Sequence, residues 1–253
     1  MRPASPNARL RLDQLLVDRG LFATRSRARD AIARGRVTVD GQAETRAGRP
    51  VSLSAALDVD DPARAYVSRA ALKLIAALDA FGLDPAGRVC LDIGASTGGF
   101  TQVLLQRGAA GVVALDVGHG QLHNSLRLDP RVTVLEGLNA RDLTVNHLGG
   151  AAPAFLVSDV SFISLRLALP PALALAASGC LAAFLVKPQF EAGREAIGKG
   201  GLLRDPARGE EIAAELSGWL DGQAGWRPFG WIASPIEGGD GNREFLLAGV
   251  KDR

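Results

Sequence analysis

The stretch Val89-Cys-Leu-Asp-Ile-Gly-Ala-Ser-Thr-Gly-Gly-Phe100 constrains this chain more than any other. Val89 to Ile93 is apolar apart from Asp92 and has the length of a buried parallel strand. Gly94, Gly98 and Gly99 then let the backbone turn sharply and pass close to a ligand, where a Cβ would collide. A helix is expected from Phe100 to Gln106, closing at Gly108. About twenty residues past Gly94 a second apolar run, Gly111 to Asp116, ends in an acid. Strand, glycine turn, helix, strand and terminal acid form an arrangement that holds a nucleoside, the acid accepting hydrogen bonds from both ribose hydroxyls.

Ser96 stands where the strict dinucleotide fingerprint has its middle glycine, and no Lys-Ser/Thr pair follows to make a nucleoside-triphosphate loop. With Asp92 two residues ahead of the first glycine, the word resembles the first motif of class I S-adenosylmethionine-dependent methyltransferases. That resemblance implies S-adenosylmethionine as cofactor, with Asp92, Gly94, Ser96, Gly98, Gly99 and Phe100 around its methionine end and Asp116 on its ribose. Asn139, in Glu136-Gly-Leu-Asn139 at the expected end of a third strand, is the candidate adenine contact, with Asp142 as its substitute.

A length of 253 residues, 47% hydrophobic and 22% charged, describes a soluble globular chain of one large domain or a small one joined to a medium one. The N-terminus has no continuous apolar segment of the secretory kind. Leu167 to Val186 is broken by Pro170-Pro171 and Gly179, so a helix, a turn and a buried strand suit it better than a bilayer span. Cys90 and Cys180 sit far apart in apolar surroundings, as buried thiols of a reducing cytoplasm would. His119 and His123 are four residues apart, yet no third ligand completes a metal site, and none is expected.

The net charge of +2 conceals an asymmetry: residues 1–50 hold 11 arginines and no lysine against 5 acids, a net of +6, leaving −4 for the rest. A basic small part on a mildly acidic large part points to an anionic polymer bound at the N-terminus. Past a disordered Met1 to Ala8, Leu12, Leu15 and Leu16 space a first helix ending at Gly20. Thr24 caps a second helix with Ala28, Ala31 and Ile32 inward, and Asp40-Gly41 turns a short hairpin. Two small helices and a hairpin, with arginines around the second helix, resemble the S4 RNA-binding domain over residues 9–60. Arg11, Arg25, Arg27, Arg29, Arg34 and Arg36 are the RNA-binding candidates, since a planar guanidinium donates two parallel bonds to phosphate.

Residues 61–65 read as a linker, and Tyr66 to Leu78 as a helix leading to the cofactor strand. Further strands are expected at Val132 to Leu135, Phe155 to Asp159 and Leu181 to Lys187, with a last pair near Trp231 and over 244–250. Repeated βα units of this kind make an α/β fold, Rossmann-like with a mostly parallel sheet, over residues 66–253. Asp159 and Lys187 end strands, where the crevice of an open α/β sheet lies.

Lys73, Asp159, Lys187 and Glu244, in this order, resemble the tetrad of the FtsJ-like RNA ribose 2′-O-methyltransferases. The words Ser68-Arg69-Ala-Ala-Leu-Lys73-Leu, Ser158-Asp159-Val-Ser-Phe and Lys187-Pro-Gln-Phe-Glu191 agree with that family too, while Ala70-Ala71 replaces a glycine pair common in it. With the S4-like segment in front, the chain is similar to the TlyA family, often labelled hemolysin, whose members methylate cytidine ribose in ribosomal RNA. The resemblance implies a cytoplasmic enzyme acting on ribosomal RNA or ribosomal subunits, with no membrane partner, and leaves the oligomeric state open. It further implies Lys187 as proton acceptor with Lys73 lowering its pKa by like-charge repulsion, Asp159 orienting Lys187 and facing the methyl donor as a cofactor-binding residue, and Glu244 holding Lys73 or the ribose. Three other functions stay open to the sequence: an RNA-binding protein sensing the cofactor, a membrane-lytic protein, and a nicotinamide-dependent oxidoreductase.

Overall fold

A computed structural model describes residues 8–252, so the expectation of disorder over Met1 to Ala8 falls, Ala8 apart, outside the described residues. The chain divides into two compact units, one running to Ala65 and the other beginning at Tyr66.

The first unit opens with β1 (Arg9–Arg11), α1 (Leu12–Asp18) and α2 (Arg25–Ala33), followed by β2 (Val37–Val39), β3 (Gln42–Ala43), β4 (Pro50–Ser52) and β5 (Leu57–Val59). The Thr24 hydroxyl accepts from the Arg27 N–H at 3.3 Å and so starts α2. Leu12, Leu16, Ala28 and Ile32 from the two helices close on Val37 and Val39 of β2, which is the middle strand of the β3-β2-β5 sheet. The β1–β4 pair and β5 carry no signal in the sequence, since three alternating residues are too few to announce a strand. Residues 61–65 are not a free linker. Pro62–Ala65 is a 3-10 turn, and buried Asp61 accepts both terminal nitrogens of Arg34, at 2.9 and 2.8 Å, tying the segment to the first unit.

The second unit holds α3 (Ala71–Phe81), β6 (Val89–Ile93), α4 (Gly99–Gln106), β7 (Gly111–Asp116), α5 (Asn124–Arg127) and β8 (Val132–Glu136). It continues through β9 (Phe155–Ser158), α6 (Leu165–Ala168), α7 (Pro170–Leu175), β10 (Cys180–Val186), α8 (Arg208–Asp221), β11 (Trp226–Ala233) and β12 (Phe245–Lys251). The sheet order is β11-β12-β10-β9-β6-β7-β8, parallel from β8 to β10, with β12 antiparallel to both its neighbours. Strand order reverses between β6 and β9, which sets the ligand crevice at their carboxyl ends. α3 starts at Ala71, five residues later than its apolar spacing suggests, because Ser68 turns the chain back: its hydroxyl accepts from the Ala70 N–H and its carbonyl from the Ala71 N–H. One core cluster packs Leu74, Leu78, Phe100 and Leu104 on one face of the sheet; the other packs Leu91, Phe184, Ile212 and Trp226 on the opposite face.

Gly94 leaves β6 at φ +82°, and a Cβ there would sit 2.9 Å from the Asp159 carbonyl oxygen. That contact is with backbone, which cannot swing aside. Gly87, at φ +69°, has open space around its missing Cβ. Both Gly94→Ala and Gly87→Ala should carry the cost of a left-handed residue, about 1–2 kcal/mol. Gly94→Ala should cost more, lowering Tm by a further few degrees, at roughly 2–4 °C per kcal/mol for a unit this size. Equal Tm values for the two variants would show that the approach of the strand ends does not constrain the fold.

Candidate active site

The sheet register assembles the tetrad. β10 and β12 pair Val186 with Phe245, so the next residues out, Lys187 and Glu244, stand across from each other at the same sheet end. β6 and β9 pair Ile93 with Ser158, which sets Asp159 directly beside Gly94. Lys73 comes from the first turn and a half of α3, whose Leu74, Ala77 and Leu78 pack on Leu246 and Ala248 of β12.

Two lysine–carboxylate pairs result. Lys73 Nζ donates to Glu244 Oε2, both side chains being almost wholly buried. Lys187 Nζ lies 2.6 Å from Asp159 Oδ1 and donates to Ser161 Oγ at 2.8 Å. The Asp159 contact is an ion pair without hydrogen-bond alignment. Burial pushes the Glu244 carboxyl above the usual range, Lys73 and Lys187 pull it down, and Asp159 pushes it up. All four groups therefore act within one electrostatic neighbourhood. Of the two partners the resemblance implies for Glu244, Lys73 or the ribose, the structure pairs it with Lys73.

The glycine turn lies against this cluster. Ser96, itself at φ +48°, donates its N–H to Asp116 Oδ2 at 2.8 Å, and Gly118 N–H reaches Asp116 Oδ1 at 2.7 Å. Each Asp116 oxygen keeps acceptor capacity for a ribose hydroxyl, from a carboxylate held rigid. Gly98, at φ +97°, precedes α4 without a capping side chain, so the first N–H groups of that helix, including those of Gly99 and Phe100, face the turn. The Phe100 ring does not: it is buried in the core, so only its backbone belongs to the site. Asn139 is not at a strand end. β8 stops at Glu136, and the Asn139 side chain caps a 3-10 turn over Ala140–Asp142 by accepting from the Arg141 N–H.

Asp92 is wholly buried, with Oδ2 accepting from the Thr101 hydroxyl at 2.6 Å and Oδ1 without a partner. Burial pushes its carboxyl up to about 7; the Thr101 bond opposes this, and the charges of Asp159 and Asp116 add to it. Ser158 Oγ is another buried polar atom without a partner at the same strand ends. Orphaned acceptor capacity beside a glycine turn and a pre-set Asp116 fits a polar nucleoside cofactor such as S-adenosylmethionine.

A cavity of about 430 Å³ opens at Lys187 and Glu244. Ser161, Gln189 and Asp240 line it, with Phe162 and Phe190 at 5.1 Å between ring centroids. Phe162 is 90% exposed and holds φ +65°, a conformation that a bulky residue adopts only where the surroundings impose it.

Residues 66–251 match the FtsJ-like methyltransferase family, and residues 10–57 the S4 domain. The chain is 49% identical over 243 residues to the 16S/23S rRNA (cytidine-2′-O)-methyltransferase TlyA of Mycobacterium tuberculosis, covering 94% of this chain and 89% of that protein. The chain belongs to the TlyA family of FtsJ-like methyltransferases. Hemolysin A of Brachyspira hyodysenteriae is 40% identical, covering 94% of this chain and 98% of that one. A solved Streptococcus thermophilus structure described as a hemolysin superposes with a TM-score of 0.75 at 39% identity, over 98% of this chain and 90% of its own. No helix among the described residues is long and apolar enough to cross a membrane.

Sequence reading of this TlyA-family chain missed Ser161, Phe162 and Glu191 as site residues. Glu191 accepts from the Ser164 hydroxyl at 2.6 Å and the Leu165 N–H at 2.7 Å, pinning the loop after β10 to the start of α6. Its signal was present, since both ends of that clamp lie in or beside the family-like words around Asp159 and Lys187. The arginines separate. Arg11, Arg25 and Arg29 gather on Asp13; Arg27 donates to the Ala63 carbonyl; Arg36 is exposed. Arg34 is a correction: its side chain is 16% exposed and shared between Asp30 and Asp61, so it holds the unit together and is not presented to RNA.

The Asp92 carboxyl has a testable signature. An acid raised from an ordinary value near 4 to about 7 contributes stability that is full below pH 4 and lost as pH rises through 7. Asp92→Asn should flatten the decline in Tm of the cofactor-free protein between pH 4 and pH 7. Parallel Tm curves for the two proteins would mean that Asp92 does not titrate there.

Proposed function

We propose that this protein transfers a methyl group from S-adenosylmethionine to the ribose 2′-hydroxyl of a cytidine in ribosomal RNA, working in the cytoplasm with its S4 unit recruiting the RNA. The observation that carries this reading is the convergence of Lys73, Asp159, Lys187 and Glu244 beside the glycine turn that ends at Asp116. S-adenosylmethionine supplies an electrophilic sulfonium methyl. Asp116 receives the ribose of the cofactor, and the N–H groups at the start of α4, with Asp92 beneath them, receive its methionine end.

The acceptor nucleotide enters the cavity at Lys187. A ribose hydroxyl is a poor nucleophile and must lose its proton as the new O–C bond forms. Lys187 Nζ, in its neutral form, takes that proton and becomes an ammonium beside the Asp159 carboxylate, which orients it throughout. Lys73, fixed by Glu244, adds a positive charge that stabilises negative charge developing on the oxygen. Phe162 and Phe190 offer ring faces on which an extruded base can stack.

Lys187→Ala should abolish methyl transfer and leave S-adenosylmethionine affinity within about twofold, as read by calorimetry and by methyl incorporation into ribosomal RNA. Lys187→Arg should not rescue, because a guanidinium does not give up its proton near neutral pH. Most of the activity surviving in Lys187→Arg would replace proton acceptance with charge stabilisation. Asp116→Ala should weaken cofactor binding by about ten- to a hundredfold, the value of a charge-assisted hydrogen bond. Unchanged affinity in a folded Asp116→Ala protein would remove the cofactor assignment.

A further inference from the structure

Three guanidiniums converge on one carboxylate in the N-terminal unit. Asp13, the second residue of α1, is wholly buried. Its Oδ1 accepts from Arg11 Nε at 3.1 Å, and its Oδ2 from Arg25 at 2.9 Å and Arg29 Nε at 2.7 Å. Burial favours the neutral acid, but the three arginines hold Asp13 well below the usual carboxylate range, so it stays charged. A buried carboxylate in want of a counter-ion is satisfied by a single guanidinium. Here there are three, an excess of two positive charges on one spot.

Each of these arginines keeps 42–53% of its side chain exposed, so one edge of the fork is committed to Asp13 and the other faces solvent. Arg25 and Arg29 are one turn apart on α2 and share a face, while Arg11 approaches from β1. α2 has no acid in its first turn and opens on Arg25 and Arg27, cations set against the positive end of the helix dipole. That placement opposes helix stability and suits an incoming anion. Gly48 lies under the Arg11 guanidinium, where a Cβ would come within 3.1 Å of it.

We propose that Asp13 is a positioning residue, holding Arg11, Arg25 and Arg29 as a preset guanidinium triad that grips the phosphodiester backbone of the RNA substrate. The proposal rests on the RNA-recruiting role of the S4 unit. Side chains already held in place lose little rotamer freedom on binding, and a fixed fork meets phosphate oxygens with two bonds at once.

Charge counting and positioning predict opposite signs for one substitution. Asp13→Asn removes a negative charge, so a surface acting only by net charge should bind RNA more tightly, with an equal or steeper salt dependence. A positioned triad should bind more weakly, because asparagine offers one acceptor oxygen and turns an amino group toward the guanidiniums. The measurement is a salt titration of the full chain against purified bacterial ribosomal RNA, with circular dichroism and S-adenosylmethionine affinity on the same samples. Asp13→Asn should weaken binding about tenfold and make the log–log salt slope shallower by roughly one for each phosphate no longer gripped. Equal or tighter binding by a folded Asp13→Asn chain overturns the proposal. Should that variant lose helix content, Arg25→Lys/Arg29→Lys decides instead, since it keeps the charge and loses the fork: weaker binding supports positioning and unchanged binding overturns it. The Arg11→Ala/Arg25→Ala/Arg29→Ala variant separates recruitment from positioning. Undiminished RNA affinity there removes the recruiting role itself, whereas a large loss beside an unweakened Asp13→Asn removes the positioning alone.

Discussion

Everything at the reactive end of the second unit depends on how closely two parallel strands finish side by side. β6 and β9 are hydrogen-bonded up to Ile93 and Ser158, and the chain leaving β6 then passes so near the Asp159 carbonyl that a side chain at 94 has no room. This closeness makes one site of two features. On the proposed reading the glycine turn serves the cofactor and Asp159 the acceptor, and a Cβ at Gly94 would lie 2.9 Å from the Asp159 carbonyl oxygen. A methyl group moving between two substrates needs both held within a few tenths of a nanometre, and adjoining strand ends suit that requirement. The antiparallel β12 then brings Glu244 to the same end from the opposite chain direction, which a purely parallel sheet would not do.

Charge is managed differently in the two units. In the second, Lys73 and Glu244 form a buried pair beside the partly buried Lys187 and Asp159, so loss of either member of the buried pair would leave an uncompensated charge costing several kcal/mol. Substitutions in the tetrad consequently disturb stability as well as chemistry, and affinity for the cofactor is the measurement that parts them. Here burial raises the carboxyls of Asp92 and Glu244. In the first unit arginines hold the carboxyls of Asp13, Glu44 and Asp61 below their usual range. Acid therefore neutralises the buried Asp92 of one unit while working against the arginine–carboxylate pairs of the other.

Much of this was legible in the sequence because the strands are short apolar runs that end in conspicuous residues. A glycine turn, an acid after a strand and a lysine after Ala-Phe-Leu-Val all mark the same edge of a sheet. The order of the tetrad came through resemblance, since nothing in spacing alone brings Lys73 to Glu244 across 171 residues. What the sequence concealed is pairwise. Whether an arginine faces solvent, as Arg36 does, or is locked like Arg34 between two aspartates depends on partners far along the chain. Ser68 reshaped the start of α3 by a hydroxyl bond that hydrophobic periodicity does not register. Asn139 illustrates the same limit, its side-chain oxygen capping a 3-10 turn where a strand end was expected.

The position of β12 also bears on how the protein comes into being. It lies between β10 and β11, both of which precede it in the chain. Until its residues leave the ribosome, β10 presents an open edge and β11 has no neighbour in the sheet. Glu244 arrives with that strand, so Lys73 gains its counter-ion only after β12 has been made. The ion pair between α3 and the sheet thus joins segments 171 residues apart, and it cannot exist before β12 is in place.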